Sequence, residues 1–241
     1  MSVDLNHNSG YAPDRAGLAG MSVGAAINTR IDAALAAARA REGKRAYLGA
    51  SMLADPCSRR VAYEYRDEPG EPLDGRALRI FATGHVLEEL IAQWMRAAGF
   101  DLVTVDPGTG RQFAFKDGAL QGHADGILAG GPIDLGYPVL WECKGLNDRS
   151  WSDLVKRGLR LGKPVYYGQV NLYMGYFGLP ECLFTALNKN TSEIYHELVR
   201  FDRIEAARLV DLAGAIVRGW LPPPVISPLC AYCAFQVPCN G

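Results

Sequence analysis

The sequence predicts an α/β (α+β) fold: a central mixed β-sheet flanked by helices. Three observations predict it. Apolar spacing switches along the chain between a helical period near 3.6 and the two-residue alternation of strands. The expected elements run helix, helix, three or four strands, two helices, strands and a last helix, an order that suits a mixed sheet better than a doubly wound one. No Gly-rich phosphate loop follows the first strand, which argues against a nucleotide-binding domain.

Residues 1–24 are polar and rich in Gly, Asn and Ser, and read as a flexible tail. The Ala-rich stretch 25–42 is a helix. Pro56 breaks the chain before a short helix that opens at Cys57 and ends near Tyr65. Pro, Gly and charge mark 66–76 as a loop. A helix over 77–98 carries Leu78, Phe81, Val86, Leu90, Ile91 and Met95 at helical spacing, and Gly99 closes it. Strands are expected at 101–106, 111–116, 119–128 and 138–144, punctuated by Pro107-Gly108, Asp117-Gly118 and Gly130-Gly131-Pro132. Helices follow at 150–160 and from Pro164 to Phe177. Strands at 181–188 and 193–201 and a helix at 202–219 complete the core, and Pro222-Pro223-Pro224 ends it. Three segments result: the tail 1–24, a core over 25–221, and a cysteine segment over 222–241 that packs back on Cys57.

Composition narrows the function. The chain of 241 residues is 49% hydrophobic and 21% charged, ordinary for a globular protein of one large domain or two small ones. A net charge of −1 excludes a polybasic binder that grips nucleic acid with its whole surface, but not a local basic groove. No apolar run is long enough to cross a membrane, and the N-terminus lacks the pattern of a secretory signal, so a cytoplasmic protein without membrane partners is expected. In that compartment the 6 cysteines are not expected to form structural disulfides.

The chemistry concentrates on two strands. Gly122-His123-Ala124-Asp125-Gly126-Ile127 is followed by Val139-Leu140-Trp141-Glu142-Cys143-Lys144-Gly145. Side chains alternate along a strand, so Glu142 and Lys144 share one face, and Val139 and Trp141 take the other. A Glu and a Lys on an otherwise apolar strand break core patterning, as functional sites do. Asp125 and Glu142 offer hard anionic oxygens suited to Mg²⁺ or Mn²⁺. Such an ion neutralises a phosphodiester and activates water, and a nearby Lys orients that water or offsets developing charge. Considered alone, Glu-x-Lys reads more readily as a self-satisfied buried pair. His123 precedes Asp125 by two residues and is expected on the same face, with a structural hydrogen bond as its other reading.

Asp125, then Glu142-Cys143-Lys144 after sixteen intervening residues, resembles the PD-(D/E)XK nuclease superfamily, and the Gly-His-Ala-Asp-Gly-Ile flank resembles its RecB-like branch. Gly84-His85-Val86-Leu87-Glu88 on the preceding helix looks like that branch's G-x-x-x-(H/E) motif, and Gln169-Val170-Asn171-Leu172-Tyr173 like its Q-x-x-x-Y motif. The resemblance covers roughly residues 50–239 and implies a restriction-endonuclease-like core. It implies Glu88 as a third metal ligand, favoured by spacing over His85 and Glu89, and the Cys143 backbone carbonyl as a further one. Lys144 would assist the water. Gln169 and Tyr173, on one helix face at i, i+4, would contact the DNA backbone and orient Lys144. The first Asp lacks the preceding Pro of the superfamily name.

Cys230-Ala231-Tyr232-Cys233 and then Cys239 form C-x₂-C-x₅-C, a spacing that points to a metal or an iron–sulfur cluster. Cys57 is the best fourth ligand. The set resembles iron–sulfur RecB-like nucleases, among them CRISPR-associated RecB-like exonucleases and AddB-type nuclease domains, which implies a [4Fe–4S] cluster. A Cys₄ Zn²⁺ site is the alternative. Either would close a loop of roughly 170 residues, a link that simple chain models value at several kcal/mol. Cys143 and Cys182 read as small core residues.

Lys144, Arg149, Lys156, Arg157, Arg160 and Lys163, opposed only by Asp148 and Asp153, form the one marked basic stretch, read either as a DNA-backbone surface or as a solvated helix face. Trp151, Tyr166 and Tyr167 could stack on bases, though at least two are expected in the core. Asn188 and Lys189 end a strand as candidate phosphate contacts. The resemblance implies a metal-dependent DNA exonuclease acting on ends or single strands in recombination, repair or CRISPR spacer processing, also resembling phage recombination exonucleases. No helicase motif is present, so unwinding would need a helicase, recombinase or CRISPR adaptation partner. A catalytically silent DNA-binding or assembly subunit and a structure-specific endonuclease are the alternatives.

Overall fold

A computed structural model describes residues 22–43 and 45–240; the expected tail lies outside them as far as residue 21. The chain divides into two compact units, Met1–Lys44 with Leu73–Phe81, and Arg45–Pro72 with Ala82–Gly241.

In the first unit, helix α1 (Val23–Arg41) starts where the Ser22 hydroxyl accepts a hydrogen bond from Ala25 N, a cap that removes one of the unpaired donors of a helix start. Asp32 of α1 forms an ion pair with Arg79.

The second unit begins with strand β1 (Leu48–Gly49), helix α2 (Ala50–Leu53) and helix α3 (Ser58–Tyr65), whose N-cap is Cys57. Helix α4 (Gly75–Ala97) starts in the first unit and continues here. Of its expected apolar stripe, Ile91 and Met95 are buried, whereas Phe81 and Val86 are exposed. Then come β2 (Asp101–Val103), β3 (Ala114–Asp117), β4 (Leu120–His123), β5 (Gly126–Gly130) and β6 (Val139–Leu146). Helices α5 (Asp148–Gly162) and α6 (Pro164–Phe177), strands β7 (Glu181–Asn188) and β8 (Ile194–Arg200), and helix α7 (Arg203–Val217) follow. A 3₁₀ turn (Pro228–Tyr232) and helix α8 (Gln236–Asn240) end the described chain.

One sheet has five strands in the order β2-β5-β6-β7-β8, with β6 and β7 parallel and the other pairs antiparallel. The second has three, β1-β4-β3, with β1 and β4 parallel. The architecture is thus the mixed-sheet, helix-flanked α/β core that the sequence predicts. The strand expected over 119–128 is corrected: β4 and β5 belong to different sheets, and the chain leaves one at His123 and enters the other at Gly126. The strands expected at 101–106 and 111–116 shorten to β2 and β3, because the turn at 107–110 reaches into both. That turn is tied by Asp106, whose carboxylate accepts from Gly108 N at 2.9 Å and from the Thr109 hydroxyl at 3.1 Å.

The two faces of the five-stranded sheet are covered by different helices. Leu140 and Leu146 of β6 and Cys182, Phe184 and Ala186 of β7 lie in the core with Val170, Tyr173 and Met174 of α6 and Leu209 of α7. Val139, Trp141 and Cys143, with Leu183 and Leu187, meet Ile91, Ala92 and Met95 of α4. The alternation expected for β6 is therefore realised. Burial of Trp141 and Phe184, both 0% exposed, contributes about 2–3 kcal/mol each by area bookkeeping. Cys143 and Cys182 are core residues, their thiols pushed well up by burial. Among the described residues no helix is long and apolar enough to cross a membrane.

Candidate active site

A cleft of about 500 Å³ opens at the seam between the two sheets, and its wall includes Glu88, Asp125, Lys144, Gln169 and Tyr173. Glu142 lies beneath them, 0% exposed. Each comes from a different constraint. Glu88 sits mid-way along α4, and Asp125 on the two-residue link between β4 and β5. Glu142 and Lys144 are alternate residues of a largely buried strand, flanked on the same face by Leu140 and Leu146. Gln169 and Tyr173 are one turn apart on α6.

The contacts are specific. The Asp125 carboxylate accepts a hydrogen bond from Cys143 N at 2.9 Å, which fixes the link against β6. Lys144 Nζ forms a short ion pair with Glu142 Oε1 and lies 3.8 Å from Asp125 Oδ2. Gln169 Nε2 donates to Glu142 Oε1 at 2.7 Å and to the Tyr173 hydroxyl at 3.1 Å. Glu142 Oε2 and Gln169 Oε1 are buried without a hydrogen-bond partner. A buried carboxylate oxygen left this way costs free energy unless a proton or a cation occupies it.

Electrostatics agree. Burial, and then the Asp125 charge, push Glu142 up to about 8, although Lys144 opposes the rise. Glu88 is pushed up to about 7, by burial and then by Asp125. Burial opposes the charge on Lys144, but Glu142 and Asp125 outweigh it and hold the ammonium protonated well above its ordinary range. Three carboxylates facing one lysine leave an excess of negative charge, so the donor set suits a hard divalent cation. As placed, no group of three or more His, Cys, Asp or Glu side chains among the described residues is arranged to hold an ion.

The sequence-predicted residues divide clearly. Glu88 faces the cleft and exposed Glu89 does not; His85 also lines it. His123 lines the cleft with Asp125, but not through strand alternation, since β4 ends between them. Apart from Lys144, none of the cations of the basic stretch lines the cleft. Arg157 and Lys163 pair with Asp153, and Arg160 pairs with Asp202. Trp151, Tyr166 and Tyr167 pack against the core. The Tyr166 ring stacks on Phe184 and lies 5.8 Å from Lys144 Nζ. Asn188 is corrected as a phosphate contact: it is 0% exposed and donates to Asp148 Oδ1 at 3.0 Å. Arg45, Tyr47, Ser51, Gln112 and Gln121 also line the cleft. None stood out in the sequence: Arg45, Tyr47 and Ser51 flank β1, which is too short to carry a pattern, and Gln112 and Gln121 belong to no motif.

The four cysteines singled out above share a cavity. Cys57, Cys230, Cys233 and Cys239 line one cavity of about 290 Å³, and none forms a disulfide. Cys230 Sγ accepts from Ser227 N at 3.4 Å and lies 3.6 Å from the Val225 carbonyl; four soft sulfur donors are the chemistry that a Zn²⁺ ion or an iron–sulfur cluster takes. The segment carrying three of them docks through Phe235, which is 7% exposed.

No protein-family model and no curated protein matches the sequence. Among solved structures the chain is similar to SSO0001, with a TM-score of 0.51 and 18% identity over 88% of this chain and 95% of that one. It is similar also to an alkaline exonuclease, LHK-Exo from Laribacter hongkongensis, with a TM-score of 0.51 and 16% identity over 73% of this chain and 89% of that one. At these identities the likeness is one of fold: the mixed-sheet, helix-flanked α/β core expected from the sequence is shared with both.

Proposed function

We propose that this protein is a divalent-metal-dependent DNA nuclease, and within that class an exonuclease acting at DNA ends or on single strands. One observation carries the reading: Glu88, Asp125, Lys144, Gln169 and Tyr173 converge on one cleft above a buried Glu142 whose Oε2 has no partner. LHK-Exo, whose fold this chain shares, is named an alkaline exonuclease.

Glu88, Asp125 and Glu142 would hold Mg²⁺ or Mn²⁺, with the Cys143 carbonyl as a further ligand. A bound divalent ion supplies charge neutralisation at the phosphodiester and a water of lowered pKa. The protein does the rest. Lys144 stays protonated beside Glu142 and Asp125, so it acts as a hydrogen-bond donor and cation rather than as a base. With part of its side chain open to the cleft, it orients the attacking water and offsets charge gathering on the phosphoryl oxygens. Gln169 positions the Glu142 carboxylate through its 2.7 Å bond. Tyr173, joined to Gln169, shapes the wall along which the DNA backbone lies. Cys57, Cys230, Cys233 and Cys239 would hold a [4Fe–4S] cluster, or alternatively structural Zn²⁺, as a staple between distant parts of the chain. The activity suits DNA recombination, repair or CRISPR spacer processing, beside a helicase, recombinase or adaptation partner.

End-labelled single- and double-stranded DNA, incubated with wild type or Lys144→Ala and with Mg²⁺, Mn²⁺ or chelator, tests the reading. Metal-dependent degradation that is lost in Lys144→Ala is expected. Cleavage that survives chelation or the substitution overturns the mechanism, and metal-loaded wild type that binds DNA without cutting it supports a silent binding subunit instead.

A further inference from the structure

A polar relay runs from the start of α3 to the C-terminal segment. Cys57 caps α3, which places Arg59 and Tyr63 one turn apart on the same side of the helix. Arg59 Nε donates to the Tyr63 hydroxyl at 2.9 Å, and its guanidinium carbon lies 5.4 Å from the Tyr63 ring centroid. The Tyr63 hydroxyl donates in turn to the Pro238 carbonyl at 2.9 Å, one residue before Cys239. The Tyr63 and Phe235 rings pack at 5.6 Å, and Glu71 N donates to the Ala234 carbonyl at 2.8 Å. Gly70 makes room for Phe235, since a Cβ there would lie 2.9 Å from its ring.

Apolar anchoring therefore docks the segment, while the buried phenol of Tyr63 serves a different end: it fixes the backbone from which Cys239 projects. Arg59 differs from its neighbour. Arg60 pairs with Asp55, but no carboxylate among the described residues pairs with Arg59. Arg59 lies two residues from Cys57, and its partner Tyr63 bonds the residue before Cys239, so the guanidinium is anchored beside both ends of the cysteine set.

We infer that Arg59 and Tyr63 are positioning residues for the four-cysteine site: Tyr63 holds the backbone beside Cys239 at the cavity that Cys57 also lines, and Arg59 holds the Tyr63 hydroxyl and brings a positive charge to that site when it is loaded. The inference rests on the reading of these cysteines as one metal or cluster site. Four thiolates with a cluster carry net negative charge, and nearby cations and hydrogen bonds set both its retention and its potential.

The test uses the full chain loaded anaerobically with ferrous iron and sulfide, as wild type, Tyr63→Phe, Arg59→Gln and Arg59→Lys. Iron and sulfide content, the decay of visible absorbance in air, and the midpoint potential by spectroscopic titration are measured. Tyr63→Phe keeps the ring contact with Phe235 and loses only the hydroxyl, so it loads normally but loses the cluster about tenfold faster, as for one buried hydrogen bond. Arg59→Gln lowers the midpoint potential, because the reduced cluster carries more negative charge, and Arg59→Lys restores much of it. A purely structural arginine would leave the potential where it is. A loaded wild type with retention and potential unchanged in all three variants overturns the latch and leaves the cysteine reading standing. A wild type that takes up neither iron with sulfide nor Zn²⁺ overturns both. If Tyr63→Phe does not fold, the Arg59 pair decides by the same potential measurement.

Discussion

Replacing Glu142 by Gln should stabilise the metal-free protein at neutral pH while abolishing cleavage. The folded state raises this carboxyl from its ordinary 4.5 to about 8. A group whose folded pKa is raised stabilises the protein fully below its unfolded pKa, and that contribution is lost as pH rises through the folded value. The window here runs from about pH 4.5 to about 8. At pH 7 the unfolded carboxyl is ionised and the folded one takes up a proton. At about 1.4 kcal/mol per unit, that costs roughly 3 kcal/mol. Gln carries no such cost, but forfeits part of the hydrogen bonding that the carboxyl makes with Lys144 and Gln169. A net gain of about 2 kcal/mol is expected, which is roughly 4–8 °C in Tm for a chain of this length.

The assay is thermal melting in chelator from pH 5 to pH 8, repeated with saturating Mg²⁺ or Mn²⁺. In chelator the advantage of Glu142→Gln should shrink to nothing near pH 5 and widen toward pH 8. In metal the wild type should rise by the binding linkage and Glu142→Gln should respond little. If Glu142 is instead an ordinary partner of Lys144, breaking the pair should cost about 3–5 kcal/mol at every pH above 5. A destabilised Glu142→Gln at pH 7–8 would refute the reasoning.

Glu88→Gln should shift stability in the same direction with a smaller effect at pH 7, since Glu88 is raised only to about 7, and should also lose cleavage and the metal-induced rise in Tm. Gly122→Ala should lower cleavage more than stability, because its Cβ would lie 2.5 Å from both Phe115 and Tyr173 and the tyrosine must move; single-turnover rates beside a urea melt separate the two. Phe235→Ala should release the C-terminal segment, which brief proteolysis would detect as cleavage after about residue 220, with a local loss of roughly 3 kcal/mol.

Much of this was legible because the signals were local. Glu142 and Lys144 stood out because alternation on a strand is a two-residue rule and they broke it. Gln169 and Tyr173 were legible through their resemblance to the Q-x-x-x-Y motif, and helical spacing put them on one face. The cysteine segment announced itself by spacing alone. What failed depended on partners distant in sequence. Arg160 of the basic stretch pairs with Asp202, which lies beyond two strands and a helix in sequence. Asn188 read as a strand-end phosphate contact, but Asp148, forty residues earlier, claims its amide. Arg45, Tyr47 and Ser51 reach the cleft only because β1 pairs in parallel with β4, a pairing between Leu48 and Leu120 that no local pattern encodes.

The break at Ala124-Asp125 shows how a misread element can still place the expected residue in the cleft. A continuous strand over 119–128 would have placed Asp125 by alternation alone. Instead Gly122 sits against Phe115 and Tyr173 with no room for a side chain, and Gly126 sits under the Val103 carbonyl, where a Cβ would lie at 2.9 Å. These two glycines let the chain step from one sheet to the other within two residues. Ala124, 0% exposed, plugs the step on the core side. Asp125 is then held not by a strand ladder but by a hydrogen bond from Cys143 N, which ties it to the strand carrying Glu142 and Lys144. The acidic pair is thus positioned by one backbone bond across the sheet seam. A substitution at Gly126 should therefore disturb Asp125 before it disturbs the fold, and the cleft residues of both sheets meet only because this link is so short.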